Sequence, residues 1–93
     1  MSATSARRVG VVNPLGLHAR AAARFVKLAG QFRSAIHVTR GDRRVDGKSI
    51  LGLLLLAAAR GAVLEVAAHG DDAQAAVDAL CGLVERGFES DRG

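Results

Sequence analysis

The order of apolar and polar residues along the chain predicts a helix followed by a hairpin. Between positions 17 and 32 the apolar residues recur three or four apart, which predicts an amphipathic helix over residues 19–31. Apolar and polar residues alternate over residues 35–40, and a short return strand is predicted over 43–46. The pair Gly41-Asp42 between these segments has the composition of a turn, so the two strands are expected to form a hairpin.

Turn residues and helix caps mark the neighbouring elements. Strands are predicted over residues 7–12 and 62–68, and Asn13-Pro14-Leu15-Gly16 has the composition of a loop. Ser49 is a good N-cap for a short, almost wholly apolar helix over residues 50–56. These assignments place a loop directly before the first helix and a serine directly before the second.

A last helix is predicted from Asp71, with Gln74 at the capping-box position, to the stop signal at Gly87. Its inner face is expected to comprise Ala73, Ala76, Val77, Leu80 and Val84. The element order β-α-β-β-α-β-α predicts an α+β fold, with a four-stranded, mainly antiparallel sheet and helices on one face.

Length and composition indicate one small domain. A chain of 93 residues buries roughly 60–65% of its unfolded surface, enough for one modest core. We expect residues 1–6 to be disordered, residues 7–89 to form a single domain and residues 90–93 to be a flexible tail. The lone Cys81 is predicted to be buried and reduced. The longest apolar run, residues 53–59, or 50–59 if Gly52 is allowed, is far shorter than the ~20 residues of a membrane span. We therefore expect a cytoplasmic protein that does not bind membranes.

Charge is divided unevenly along the chain. Residues 1–60 hold 11 of the 13 Lys and Arg and 2 of the 9 acidic residues, whereas residues 61–93 hold 2 basic and 7 acidic residues. The net charges of the two parts are therefore +9 and −5. An anionic ligand or an acidic partner surface is expected for the basic part.

His18 has the clearest candidate chemistry in the chain. It lies where the loop ends and the first helix begins, and backbone N–H groups at a helix start have no helical acceptor. Arg20 lies in the first turn, where a cation opposes the helix dipole unless an anion is nearby. A phosphorylated imidazole would place its oxygens among the amides of Ala19 and Arg20 and beside the Arg20 guanidinium. From the residues alone, a capping or surface histidine without chemistry explains the position equally well.

Two blocks of the sequence resemble one known family. Residues 13–22, Asn-Pro-Leu-Gly-Leu-His-Ala-Arg-Ala-Ala, resemble the active-site signature of HPr, the histidine-containing phosphocarrier of the bacterial phosphoenolpyruvate-dependent phosphotransferase system. Residues 47–54, Gly-Lys-Ser-Ile-Leu-Gly-Leu-Leu, resemble that family's regulatory-serine segment and stand at the family's spacing. The similarity covers roughly residues 7–89 and implies an open-faced β-sandwich.

The resemblance also implies roles for residues and partners. His18 would accept a phosphoryl group on Nδ1 from phosphorylated Enzyme I and pass it to an A-type domain of a sugar permease or of a regulator. Arg20 would hold the phosphate, and Ser49 would be the target of an HPr kinase/phosphorylase, although an N-cap serine needs no such role. Partner proteins would dock on Arg24, Lys27, Ile50, Leu51 and Leu54. The chain would be a monomeric, stoichiometric carrier and not an enzyme, without a cofactor or a metal.

Several alternatives accompany this interpretation. The family usually has proline where this chain has Ala21, so we expect less rigidity at the helix start but intact transfer chemistry. Residues 57–61 and 85–89 resemble the regulatory, nitrogen-type paralogue, which has no sugar-transport role. A small nucleic-acid-binding module is an alternative from another class, but no aromatic residue interleaves the basic ones. His37 and His69 lack metal-ligand neighbours and are expected on the surface.

Overall fold

A computed structural model describes residues 3–92, with side chains as far as Glu89. It confirms the predicted α+β class and the predicted order of the elements. Beyond the last predicted helix it adds a 3-10 segment. The elements are β1 (Ala3–Gly10), α1 (Ala19–Ala29), β2 (Ala35–Arg40), β3 (Arg43–Asp46), α2 (Ile50–Leu55), β4 (Val63–Gly70), α3 (Ala73–Glu85) and the 3-10 segment (Gly87–Arg92).

The four strands form one antiparallel sheet in the order β1-β4-β2-β3. Successive residues of a strand point to opposite faces, so one face of this sheet is apolar and buried while the other is open. The helices cover the buried face, and Phe25 of α1, Leu53 of α2 and Leu80 of α3 are almost fully buried there. The strand residues of the core are Val9, Ile36, Val38, Leu64, Val66 and Ala68.

β1 begins at Ala3, four residues before its predicted start. Ala3 pairs with Gly70 at the end of β4, and Thr4 Oγ1 lies 2.8 Å from Nδ1 of His69. The prediction that residues 1–6 are disordered is therefore wrong for residues 3–6, while Met1 and Ser2 lie outside the described residues. The reason is that β4 extends to Gly70 and supplies backbone partners to a segment with little strand preference of its own.

The N-cap of α3 is Asp72, one residue later than the predicted Asp71. The Asp72 side chain does not cap its own helix. Instead, Oδ2 accepts a hydrogen bond from the backbone N–H of Arg33 at 2.9 Å, and Oδ1 accepts from the backbone N–H of Ser34 at 3.0 Å and from the Ser34 hydroxyl. The Ser34 hydroxyl, followed by the Arg33 amide, holds the pKa of Asp72 below its ordinary value. Asp72 thus ties the start of α3 to the start of β2.

The rest of α3 agrees with its predicted pattern. All five residues of the predicted inner face are buried, and Cys81 is buried beside them, which raises the pKa of its thiol. Gly87 follows the helix with φ +66°, as its predicted role at the helix end requires. Phe88 is buried behind it.

Gly93 lies outside the described residues, and the flexible tail over 90–93 stays a prediction. No helix among residues 3–92 is long and apolar enough to span a membrane.

Candidate functional site

The loop between β1 and α1 is fixed by backbone contacts. Gly16 donates its N–H to the carbonyl of Asn13 at 3.0 Å and closes a turn, and Leu17 donates to the carbonyl of Ala58 at 2.9 Å. Gly16 has φ +65°, and a Cβ at this position would overlap the Ala58 carbonyl oxygen. Only glycine permits both the dihedral angle and the close approach. The loop that leads into the first helix is therefore held against the segment that follows α2.

His18 is the N-cap residue of α1. Its backbone is extended, and its carbonyl accepts the first helical hydrogen bond from the N–H of Ala22 at 2.8 Å. The imidazole makes no capping hydrogen bond, so a capping role does not explain this histidine. The side chain is partly buried, and its Nε2 is buried without a hydrogen-bond partner.

The backbone beside His18 favours an anion. The N–H groups of Ala19, Arg20 and Ala21 precede the first helical hydrogen bond, so helix geometry gives them no acceptor. No acidic residue lies in the first turn, and Arg20 is exposed. The dipole of the helix adds roughly half a positive charge at this end. Donors, dipole and guanidinium together suit a phosphoryl group attached to the histidine.

The basic residues of α1 do not share one environment. Arg20 and Lys27 are exposed, but Arg24 is half-buried and donates a hydrogen bond from Nη1 to the carbonyl of Glu89 at 2.7 Å. Arg24 therefore fastens the C-terminal segment to α1, a contact that its helical spacing does not reveal.

Apolar side chains of α2 face solvent near the loop. Leu51 is 68% exposed, Ile50 42% and Leu54 36%, while Leu53 is buried in the core. Ile50, one of the residues expected to dock partners, does not belong to the core. A helix of six residues turns only one side towards the sheet, and its first residue lies away from that side.

Two arginines hold the other end of α2. Arg43 donates to the carbonyl of Leu55 at 2.7 Å, and Arg40 donates to the carbonyl of Leu56 at 3.0 Å. The last carbonyls of a helix lack helical donors, and cations are favourable beside them. These bonds join α2 to the β2–β3 hairpin and fix the position of its exposed face.

Ser49 is the N-cap of α2, as predicted. Its Oγ accepts a hydrogen bond from the N–H of Gly52 at 3.0 Å, and its side chain is half-buried. The neighbouring Lys48 donates from Nζ to the carbonyl of Phe32 at 2.8 Å. A serine in this position is part of the helix start and borders the exposed apolar face.

Asn13 is a residue of the site that the pattern of the sequence did not indicate beyond its loop composition. It is only 8% exposed, and its Nδ2 donates to the carbonyl of Gly16 at 2.8 Å. The exposed Leu15, at 76%, lies in the same loop. The sequence does not predict that Asn13 is buried and Leu15 exposed. A loop of four residues has no periodic pattern that would distinguish its buried side from its exposed side.

The other two histidines lie away from this site. His69 is exposed, as expected, and contacts Thr4, while His37 is half-buried on the open face of the sheet. Among the described residues no group of three histidine, cysteine or acidic side chains could hold a metal ion.

An open-faced α+β sandwich with a half-buried histidine at the start of its first helix is the arrangement expected of a protein that carries phosphoryl groups. Comparisons with known proteins agree. The family described as "PTS HPr component phosphorylation site" matches residues 5–86. The phosphocarrier protein HPr of Neisseria meningitidis serogroup B is 48% identical over 80 residues, which cover 86% of this chain and 90% of that protein. The phosphocarrier protein NPr of Shewanella violacea is 41% identical over 83 residues, covering 89% and 91%.

A solved structure gives the same result. The crystal structure of HPr from Thermoanaerobacter tengcongensis matches with a TM-score of 0.87 at 39% identity, over 90% of this chain and 94% of that one. This chain belongs to the HPr family, the phosphocarriers of the phosphotransferase system. The match favours the first of the two classes of function: the protein is a phosphocarrier and not a catalytic enzyme.

Proposed function

We propose that His18 is the residue that carries the phosphoryl group, with Nδ1 as the atom bonded to phosphorus. The observation that carries this proposal is the position of His18 at the start of α1, where the burial of Nε2 leaves Nδ1 as the ring nitrogen for the transfer. The amides of Ala19 and Arg20 and the guanidinium of Arg20 bind the phosphoryl oxygens.

The transfer is a pair of displacements at phosphorus. In the first, the lone pair of Nδ1 forms the new N–P bond while the bond between phosphorus and Enzyme I breaks, and the electrons of that bond return to Enzyme I. In the second, an acceptor on an A-type domain attacks phosphorus, and the electrons of the N–P bond return to His18. The protein ends each cycle unchanged, as a stoichiometric carrier does.

The family implies Enzyme I and other phosphotransferase-system proteins as partners. We infer that they dock on the exposed face formed by Ile50, Leu51 and Leu54, together with the exposed cations Arg20 and Lys27 of α1. An apolar centre bordered by positive charge fits a partner surface that is apolar with acidic surroundings. Arg24 serves this surface less directly, because its guanidinium already holds the Glu89 carbonyl. A cytoplasmic monomer without a cofactor suits this function.

Labelling with phosphoenolpyruvate and Enzyme I tests the assignment of His18. We expect the wild-type protein to gain an acid-labile, alkali-stable phosphate and the His18→Ala variant to gain none. His69→Ala, which removes an exposed histidine far from the helix start, is the matched control and should label like wild type. Labelling that persists in His18→Ala would refute the assignment.

Ser49 is proposed as a second, regulatory phosphorylation site for an HPr kinase/phosphorylase. Its support is the position of its side chain at a helix start beside the docking face, where a phosphate is tolerated by the fold. A phosphoserine would add close to two negative charges there. Those charges would repel an acidic partner and would slow transfer from Enzyme I.

A regulatory, nitrogen-type role is a second candidate for the chain's downstream function. The 41% identity to an NPr protein favours it, as does the resemblance of residues 57–61 and 85–89 to such chains. Both candidates share the chemistry at His18 and differ only in the acceptor. Neighbouring permease genes would support a transport role, whereas a lone regulator domain or a kinase gene would support signalling.

A further inference from the structure

Two buried polar atoms near the helix start lack a hydrogen-bond partner. Over the side chains described, from Ala3 to Glu89, the buried nitrogens and oxygens without one are Asn13 Oδ1 and His18 Nε2. A buried polar group left unpaired costs about 1–3 kcal/mol, so proteins rarely keep one without a reason. That both belong to the same loop indicates a common cause.

The two side chains are already joined through the backbone. The carbonyl oxygen of Gly16 accepts a hydrogen bond from Asn13 Nδ2 at 2.8 Å and another from the backbone N–H of His18 at 2.9 Å. The first bond fixes which end of the Asn13 amide is the donor, so the free end is the oxygen, an acceptor. An imidazole nitrogen that bears a proton is a donor, which makes the two unpaired atoms complementary.

We propose that Asn13 is a positioning residue whose Oδ1 accepts a hydrogen bond from the Nε2 proton of His18. The two atoms are not bonded in this structure, so the proposed bond requires the ring to turn about its broad χ2 torsion. The bond selects the tautomer with the proton on Nε2 and the lone pair on Nδ1, the form in which Nδ1 attacks phosphorus. After the attack Nε2 keeps its proton and the ring is cationic, so the bond to Oδ1 is charge-assisted and strengthens.

This inference rests on the proposed role of His18, and a comparison of two variants tests it separately. Asn13→Ala removes both the donor to Gly16 and the acceptor for His18. Asn13→Asp removes the donor and keeps an acceptor oxygen. The first readout is nitrogen-15 NMR of the unphosphorylated protein at pH 8, where the ring nitrogen shifts report the tautomer and the Nε2 proton reports exchange with water. This readout needs no phosphoryl transfer, so its outcome is independent of labelling in His18→Ala.

In wild type and Asn13→Asp we expect the proton on Nε2 with slow exchange, and in Asn13→Ala an exchange rate about tenfold faster, the scale of one lost hydrogen bond. In the transfer assay we expect Asn13→Ala to lower kcat about tenfold with an unchanged KM for Enzyme I. Asn13→Asp also adds a negative charge beside the phosphoryl site, so it is compared by NMR alone. Equally fast proton exchange in Asn13→Ala and Asn13→Asp would overturn the proposal, because it would assign the effect to the Gly16 contact alone. Wild-type exchange in a folded Asn13→Ala protein would overturn it as well.

Discussion

Gly16→Ala is the substitution that tests most directly how the phosphoryl site is held. The glycine has φ +65°, and its Cα faces the backbone of the segment after α2. An added Cβ would overlap the carbonyl oxygen of Ala58 and lie 2.9 Å from Cα of Ala59. Neither neighbour is the end of a flexible side chain, so the loop itself must move. The movement would stretch the bond from Leu17 to the Ala58 carbonyl and displace His18.

Two effects lower the free energy of unfolding of Gly16→Ala. A residue with a Cβ in the left-handed region loses about 1–2 kcal/mol relative to glycine. Overpacking against backbone that cannot rotate away adds about 1–3 kcal/mol. We therefore expect the free energy of unfolding to fall by about 2–5 kcal/mol. Gly41→Ala is the matched control, because Gly41 has φ +62° and nothing lies within 4 Å of its added Cβ. In Gly41→Ala the free energy of unfolding should fall only by the conformational penalty of the left-handed region.

Thermal unfolding and phosphorylation by Enzyme I measure the two consequences. For a domain of this size 1 kcal/mol corresponds to roughly 4–8 °C, so Gly16→Ala should melt about 5–20 °C below Gly41→Ala. The initial rate of phosphorylation should fall in Gly16→Ala and stay at the wild-type value in Gly41→Ala. Equal melting temperatures in the two variants would show that the contact with Ala58 does not hold the loop, and the reasoning would fail.

Three further predictions concern other parts of the fold. Ser49→Asp should slow phosphoryl transfer from Enzyme I with little change in Tm, since aspartate also caps helices well, and the neutral cap Ser49→Asn should transfer at the wild-type rate; equal rates for both would contradict the electrostatic mechanism. Because the pKa of Asp72 is lowered in the folded protein, its stabilisation is present above its unfolded value of about 3.9 and is lost as the pH falls through the folded value. Asp72→Asn should therefore lower Tm at pH 7 and differ less from wild type near pH 2, which melting curves at both pH values would check. Ala21→Pro should raise the free energy of unfolding by about 0.4–1 kcal/mol, as measured by urea denaturation, because the Ala21 amide precedes the first helical hydrogen bond; a loss would mean that the buried space around Ala21 does not admit the ring.

The parts of this fold that the sequence predicted well are those with local signals. The helical period from position 17 onward placed α1 and put His18 at its start, and Ser49 marked the start of α2. The alternating pattern and the Gly41-Asp42 turn located the β2–β3 hairpin at its observed residues. In each case the deciding interaction joins residues close in sequence, so composition and period are sufficient.

The parts that the sequence missed depend on contacts between distant residues. Ala3 belongs to a strand because β4 reaches Gly70, and nothing in the composition of residues 3–6 indicates it. The Asp72 carboxylate binds the start of β2 about 40 residues away, which leaves its own helix uncapped. Likewise, the hydrogen bond from Arg24 to Glu89 joins residues 65 positions apart that no periodicity connects.

The position of β4 in the sheet has a consequence for the synthesis of the protein. β1 precedes the other described strands in the chain, yet its strand partner among residues 3–92 is β4, more than 50 residues later. At about 5–20 residues per second, a gap of about 60 residues keeps β1 waiting for roughly 3–12 s. The loop before α1 waits as well, because it needs Ala58, and Val11 pairs with Ala62. We therefore expect a nascent chain to expose His18 for seconds before its loop is held, and to accept phosphate efficiently only when residues 58–70 have emerged.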